Sequence, residues 1–209
     1  GVPNQIERGS IPAIFMRKDL VEKYNIDTTQ IKEPKDLESV FETVKAGEPD
    51  MTMLYSSSEN DAPATRLFRG DTLSDNNYLG VLMDQTNSTK LENFFATDWF
   101  KDTTTMLHNW YQKGYISKDA GTDTENWRTV CKAGNLFSLF FAYHPGTPVE
   151  FKSSTGYDFE IVPFRDYPIK NCQTYNGIIY SIAQNSENPE KTMETLDYIY
   201  GSPEIMNLL

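Results

Sequence analysis

The 209 residues carry 30 acidic against 19 basic side chains, a net charge of −11 that repels phosphate backbones and anionic membranes and argues against a nucleic-acid partner. Apolar residues make up 38% and aromatic residues 13%, enough for a packed core and too much for a disordered chain. No apolar run is long enough to span a bilayer; the longest, Leu136 to Ala142, has the length of a strand.

In chain order, Ile11 to Met16 predicts a short apolar strand with a proline near its start. Arg17, Lys18 and Asp19 lead into a brief helix through Leu20, Val21 and Tyr24, with Asn25 as a left-handed stop. Pro34 suits a first helical position. Leu37, Val40, Phe41 and Val44 follow at i, i+3, i+4 and i+7 until Gly47 ends the run. Met51 to Tyr55 reads as a strand, followed by the polar run Ser56 to Asp61. Tyr78 to Met83 and Lys90 to Phe95 predict a hairpin around Asp84 to Thr89, while Leu91, Phe94 and Phe95 equally fit helical spacing. Asp98 opens a helix in which Trp99, Phe100, Thr103, Met106, Leu107, Trp110 and Tyr111 form one broad apolar face, closed by Gly114. Glu125 to Lys132 is a short helix stopped by Gly134, and Leu136 to Phe141 a fully buried strand. Tyr157 to Val162 and Gly177 to Ala183 read as two more strands. Asn188 and Pro189 cap a helix carrying Met193, Leu196, Ile199 and Tyr200. Gly201 closes it, and Ser202, Pro203 and Glu204 start another whose stripe of Ile205, Met206, Leu208 and Leu209 has nothing after it. Helices alternate with strands without a repeat, which defines an α/β chain. The unfinished stripe, and a start at Gly1-Val2-Pro3-Asn4 with neither initiator Met nor signal peptide, lead to the expectation that this is a piece of a longer protein.

Motifs for catalysis are not found. There is no G-x-S-x-G elbow, no H-E-x-x-H and no Walker A loop. With so many carboxylates some pair will lie close, so a glycosidase-like acid/base pair stays open as an alternative. His108 and His144 are not at metal-ligand spacing, and Asp71, Asp75 and Asn77 lack the alternation of a calcium loop. No metal and no cofactor are expected. Cys131 and Cys172 lie in no C-x-x-C arrangement and read as two buried hydrophobes, or as one disulfide if the compartment oxidises.

The runs IFMRKDLVEKYNID, DLESVFETVKAGEPDMTMLY, LHNWYQKGYISKDA, KAGNLFSLFFAYHPG, YDFEIVPF and NGIIYSIAQNSENPEKTMETLDYIY resemble, in order, the extracellular solute-binding proteins of bacterial ABC importers. The likeness is to the LipO-like lipoproteins of Gram-positive bacteria, in the family 1 group that includes maltose-binding protein. It implies a type II periplasmic-binding-protein-like fold, two α/β lobes joined by crossing strands with ligand between them. Residues 1–12 would form the entering crossover, 13–176 the second lobe, and 177–209 the return crossover with the start of first-lobe helices. It further implies capture of a carbohydrate-type solute, an oligosaccharide, by hinge closure without covalent change, and delivery to a membrane permease. A monomer held at the cell surface through a lipidated cysteine outside this segment is the expected form.

Ligands of open α/β sheets gather at the carboxyl ends of strands. Two such loops carry sugar-binding chemistry, because carboxylates and amides bond hydroxyl pairs while an aromatic ring packs on the apolar sugar face. Within the resemblance, Glu59, Asn60 and Asp61 match the loop that supplies polar contacts, and Tyr143 and His144 the loop that supplies an aromatic platform. Glu7 and Arg8 match the entering crossover, and Tyr175 and Asn176 its return. Plain structural roles compete with each. A Ser-rich acidic loop is also an ordinary solvated turn, a Tyr after a buried strand also caps a core, and Glu7 with Arg8 also reads as a surface ion pair. Peptides or other polar solutes use the same groups, and an adhesin-like module would instead present an exposed apolar patch.

Overall fold

A computed structural model of the chain describes residues 2–3, 11–57, 63–68, 70–73, 78–83, 89–122, 124–164 and 178–206. Their elements in chain order are β1 (Val2–Pro3), β2 (Ile11–Arg17), α1 (Lys18–Lys23), α2 (Leu37–Gly47), β3 (Thr52–Leu54), α3 (Pro63–Leu67), β4 (Val81–Leu82) and β5 (Leu91–Glu92). There follow α4 (Asp98–Gln112), α5 (Trp127–Lys132), β6 (Leu136–Tyr143), α6 (Thr147–Thr155), β7 (Phe159–Pro163), β8 (Ile178–Tyr180), α7 (Pro189–Gly201) and α8 (Pro203–Met206). They fall into two compact units, Glu7–Cys172 and a second made of Gly1–Ile6 with Gln173–Leu209.

The larger unit is built on a four-stranded sheet in the order β3-β6-β2-β7. β3 lies parallel to β6, and β2 runs antiparallel to both β6 and β7, with Ile11 opposite Tyr143 and Met16 opposite Ser138. The carboxyl ends of β3, β6 and β7 therefore share one edge with the start of β2. Both faces of the sheet are covered, so β2 and β6 read as nearly unbroken apolar runs. On one face Ile14, Met16, Phe137 and Phe140 pack with Leu20, Leu37, Phe41 and Trp110 from α1, α2 and α4. On the other, Ala13, Phe15 and Leu139 pack with Trp127, Cys131 and Phe151 from α5 and α6. A satellite cluster of Phe68, Val81 and Phe94 lies beneath the β4–β5 hairpin, with Tyr78, Trp99 and Phe100 against it.

Local chemistry explains most of the element ends. Asn25 takes a φ of 50°, the left-handed stop its type favours, and Gly114 and Gly134 close their helices at φ 73° and 82°. Leu37–Gly47 follows a short 3-10 turn, Pro34–Asp36, and buries the four residues its spacing marked. The ambiguous stretch from Lys90 to Phe95 resolves into both forms, a two-residue strand and then a 3-10 turn at Phe94–Ala96. α3 and α6 are absent from the periodic pattern. α4 departs from its expected face: Trp110 is fully buried, whereas Tyr111 is 39% exposed. Cys131 is a buried free thiol whose pKa burial pushes up, and Cys172 lies outside the described residues.

Arg17, at the end of β2, is 7% exposed. Its Nε and Nη2 donate to the Asp19 carboxylate at 3.1 and 2.6 Å, its Nη1 donates to the Gly134 carbonyl at 3.0 Å, and its guanidinium lies 4.0 Å from the Tyr157 ring centroid. One side chain thus ties the end of β2 to the turns that precede β6 and β7, at the edge away from the carboxyl ends of β3 and β6.

In the smaller unit β1 and β8 pair antiparallel, Val2 opposite Tyr180, and α7 and α8 follow. α7 opens at Asn188 and Pro189 as the sequence predicts, and Ile205 N–H donates to Ser202 Oγ at 3.4 Å at the start of α8. Met193 is 49% and Tyr198 67% exposed on α7.

Candidate ligand-binding site

The carboxyl edge of the sheet is where polar side chains collect. β3 is held there by its neighbours: Tyr55 N–H donates to the Ser138 carbonyl at 2.9 Å, and Met53 and Leu54 N–H both donate to the Tyr115 carbonyl at 3.0 Å. The buried Ser138 hydroxyl donates to the Met53 carbonyl at 2.6 Å, so a polar group inside the sheet is fully used in fixing β3 against β6. Tyr55 Oη donates to the Glu125 carbonyl at 2.5 Å, tying the edge to the turn before α5. Beyond these fastenings Ser56 and Ser57 leave the sheet into a cleft of about 510 Å³, whose other walls are Pro63, the second half of α4 with Leu107, His108 and Tyr111, and the turn from Ile116 to Gly121. The cleft combines hydroxyls, an imidazole and a phenol with an apolar floor. That mixture suits a polyhydroxylated molecule with one apolar face. Tyr111 is oriented by donating to the Lys118 carbonyl at 3.3 Å.

Tyr143 is the last residue of β6, half-buried and packed on the cluster that contains Trp127 and Phe151. His144 follows it in a turn fixed from both sides. Its N–H donates to Thr147 Oγ1 at 3.1 Å, and Thr147 N–H donates back to the His144 carbonyl at 3.0 Å. The structure brings Tyr143, His144, Ser56 and Ser57 to the same edge because β3 and β6 are parallel. Glu59, Asn60 and Asp61 lie outside the described residues, although Ser57 and Pro63 on either side both line the cleft. Glu7, Arg8, Tyr175 and Asn176 also lie outside them. His108 and Tyr111 are additions to the expected set, since their helical spacing reads as a plain helix face. A tyrosine beside a histidine at i, i+3 is the one sign of a more polar stripe there. Among the described residues no group of His, Cys, Asp or Glu is arranged to hold a metal ion, and no helix is long and apolar enough to cross a membrane.

The chain is similar in sequence and in fold to known proteins. A carbohydrate ABC transporter substrate-binding protein of Streptococcus pneumoniae serotype 4 is 27% identical over 200 residues, 90% of this chain and 37% of the relative. The N-glycan transport solute-binding protein NgtS of Streptococcus pneumoniae superposes with a TM-score of 0.83 at 25% identity, over 99% of this chain and 45% of NgtS. The same protein in complex with Man5GlcNAc gives 0.74 at 25% identity, over 100% and 45%. No family model matches the chain. The chain is therefore similar in sequence to a carbohydrate ABC transporter substrate-binding protein and shares the fold of NgtS. It spans 37% to 45% of the length of these proteins.

Proposed function

We propose that the protein is the solute-binding component of an ABC importer that captures an oligosaccharide and delivers it to a membrane permease. The observation that carries this reading is sequence and fold likeness to a sugar-transport receptor across nearly the whole chain, coinciding with a polar and aromatic sheet edge. In this reading the larger unit is the second lobe of a two-lobed receptor and the smaller belongs to the crossover and first lobe. Tyr143 and His144 supply a stacking platform, and Ser56, Ser57, His108 and Tyr111 supply hydroxyl contacts. Glu59, Asn60, Asp61, Glu7, Arg8, Tyr175 and Asn176 complete the set. The work is done by binding and hinge closure, with no bond made or broken. Operation as a monomer anchored outside the cell through a lipidated cysteine belongs to the same proposal.

Calorimetric titration of the full-length protein with a panel of oligosaccharides tests it, with each sugar recovered and analysed afterwards. Saturable binding with intact ligand supports the receptor. Turnover of any sugar would replace it with a hydrolase, and heat only with peptides would replace the solute class.

A further inference from the structure

A second concavity lies in the larger unit, away from the strand ends. It is a cleft of about 440 Å³ between the first half of α4 and the 3-10 turn that precedes α2. Trp99, Asp102, Thr103 and Met106 face it from α4 at i, i+3, i+4 and i+7, which places them on one helical stripe. Glu33 faces it from the opposite wall. The backbone carrying Glu33 is pinned, because Lys32 and Glu33 N–H both donate to Asp36 Oδ2, at 2.9 and 3.0 Å. Trp99 is held edge-on by Phe68 and tilted against Phe94, with ring centroids 5.5 and 5.6 Å away, yet keeps part of its surface open. A core tryptophan would be closed off, as Trp110 is at 0% and Trp127 at 2% exposure.

We propose that this cleft is an accessory carbohydrate site that takes one ring of a neutral sugar. The proposal rests on the receptor reading above but concerns a different place. Trp99 offers a π-surface to the C–H face of the ring, and the Asp102 and Glu33 carboxylates, from opposite walls, and the Thr103 hydroxyl bond its hydroxyls. Glu33 is already compensated by Lys35 at 2.7 Å, leaving Asp102 as the charge that turns away acidic sugars. A single indole wall without a surrounding aromatic cage suits a flat-faced sugar better than an organic cation. Trp99 and Tyr111 stand about 18 Å apart along α4 at about 1.5 Å per residue, so the accessory cleft and the strand-end cleft lie at the two ends of one rigid helix.

Of the three tryptophans in these 209 residues, Trp110 and Trp127 are buried and Trp99 is open to a collisional quencher, so the difference in quenching between the protein and its Trp99→Phe variant reports on Trp99. Acrylamide quenching of tryptophan emission in the full-length protein is measured with and without a neutral mannose-containing oligosaccharide, alongside calorimetry of the same samples. The expected result is that the sugar protects Trp99, and that Asp102→Ala and Glu33→Ala, both at exposed positions, weaken this protection about five- to ten-fold without altering the calorimetric affinity of the strand-end site. A Trp99→Phe variant loses the sugar-protected component of the emission and checks the assignment. Calorimetric binding with no protection, or protection unchanged in both carboxylate variants, overturns the accessory site and leaves the receptor reading standing. Protection by tetramethylammonium in place of the sugar overturns it in favour of a cation site. Neither heat nor protection with any sugar overturns both.

Discussion

The two ends of the central sheet are made from the same strands and treated in opposite ways. Where β2 finishes, Arg17 is buried and its guanidinium is bonded to Asp19 and Gly134 and stacked on Tyr157. Where β2 begins, Tyr143 and His144 sit half-buried and the cleft beside Ser56 and Ser57 is open. A charged side chain is tolerated inside only when its donors are used, and its reward is a fixed relation between three chain turns. With one end of the strands locked, the other end can carry polar groups directed at a ligand without loss of register. In the proposed reading, rigidity and recognition are separated along the strand axis.

Substitutions can break or sharpen that contrast. The largest effect is expected from Phe151→Ala. Phe151 is fully buried in α6, which begins in the His144–Thr147 turn and ends beside Tyr157, so it supports both ends at once. Its ring lies 4.6 Å from Phe15 and 4.5 Å from Trp127, and removing it should cost about 3–5 kcal/mol in denaturant unfolding. Arg17→Met acts on the locked end alone. It leaves the Gly134 carbonyl without that donor while Asp19 remains half in solvent, and should cost about 2–3 kcal/mol with sugar affinity per folded molecule little changed. Tyr143→Ser acts on the open end and should reverse the balance, weakening oligosaccharide binding about ten-fold in calorimetry while costing about 1 kcal/mol of stability.

The smallest effect is electrostatic. The hydrogen bond from Arg17 holds the Asp19 carboxyl below its ordinary value of 3.8. A group depressed in the folded state contributes stability above its unfolded pKa and loses that contribution as pH falls through the folded one. Asp19→Asn should therefore flatten the loss of stability below about pH 4 and leave the slope above about pH 5 unchanged, as pH-dependent denaturation would read.

Much of this architecture is legible in the residues, and the gaps have physical causes. Leu37, Val40, Phe41 and Val44 announce α2 because each is apolar and each is buried. α6 is silent because two of the three positions it buries, Thr147 and Thr155, are threonines whose hydroxyls are satisfied locally, Thr155 Oγ1 by donating to the Phe151 carbonyl at 2.7 Å. α3 is too short to show a period. Arg17 looks like a solvated charge until Gly134 and Tyr157, remote in sequence, close around it. At the candidate edge, the strand-end rule points to Tyr143 and His144, whose place at the end of β6 the structure gives, but it says nothing of His108 and Tyr111, which reach the same edge from the side of a helix.

Amide hydrogen exchange of the full-length protein with and without a saturating oligosaccharide addresses the central claim most directly. The account predicts new protection at Ser56–Ser57 and across the Tyr143–Thr147 turn, with the amides around Arg17, Gly134 and Tyr157 already slow and unchanged. Protection that appears at the Arg17 end, with the strand-end turns unaffected, would contradict it.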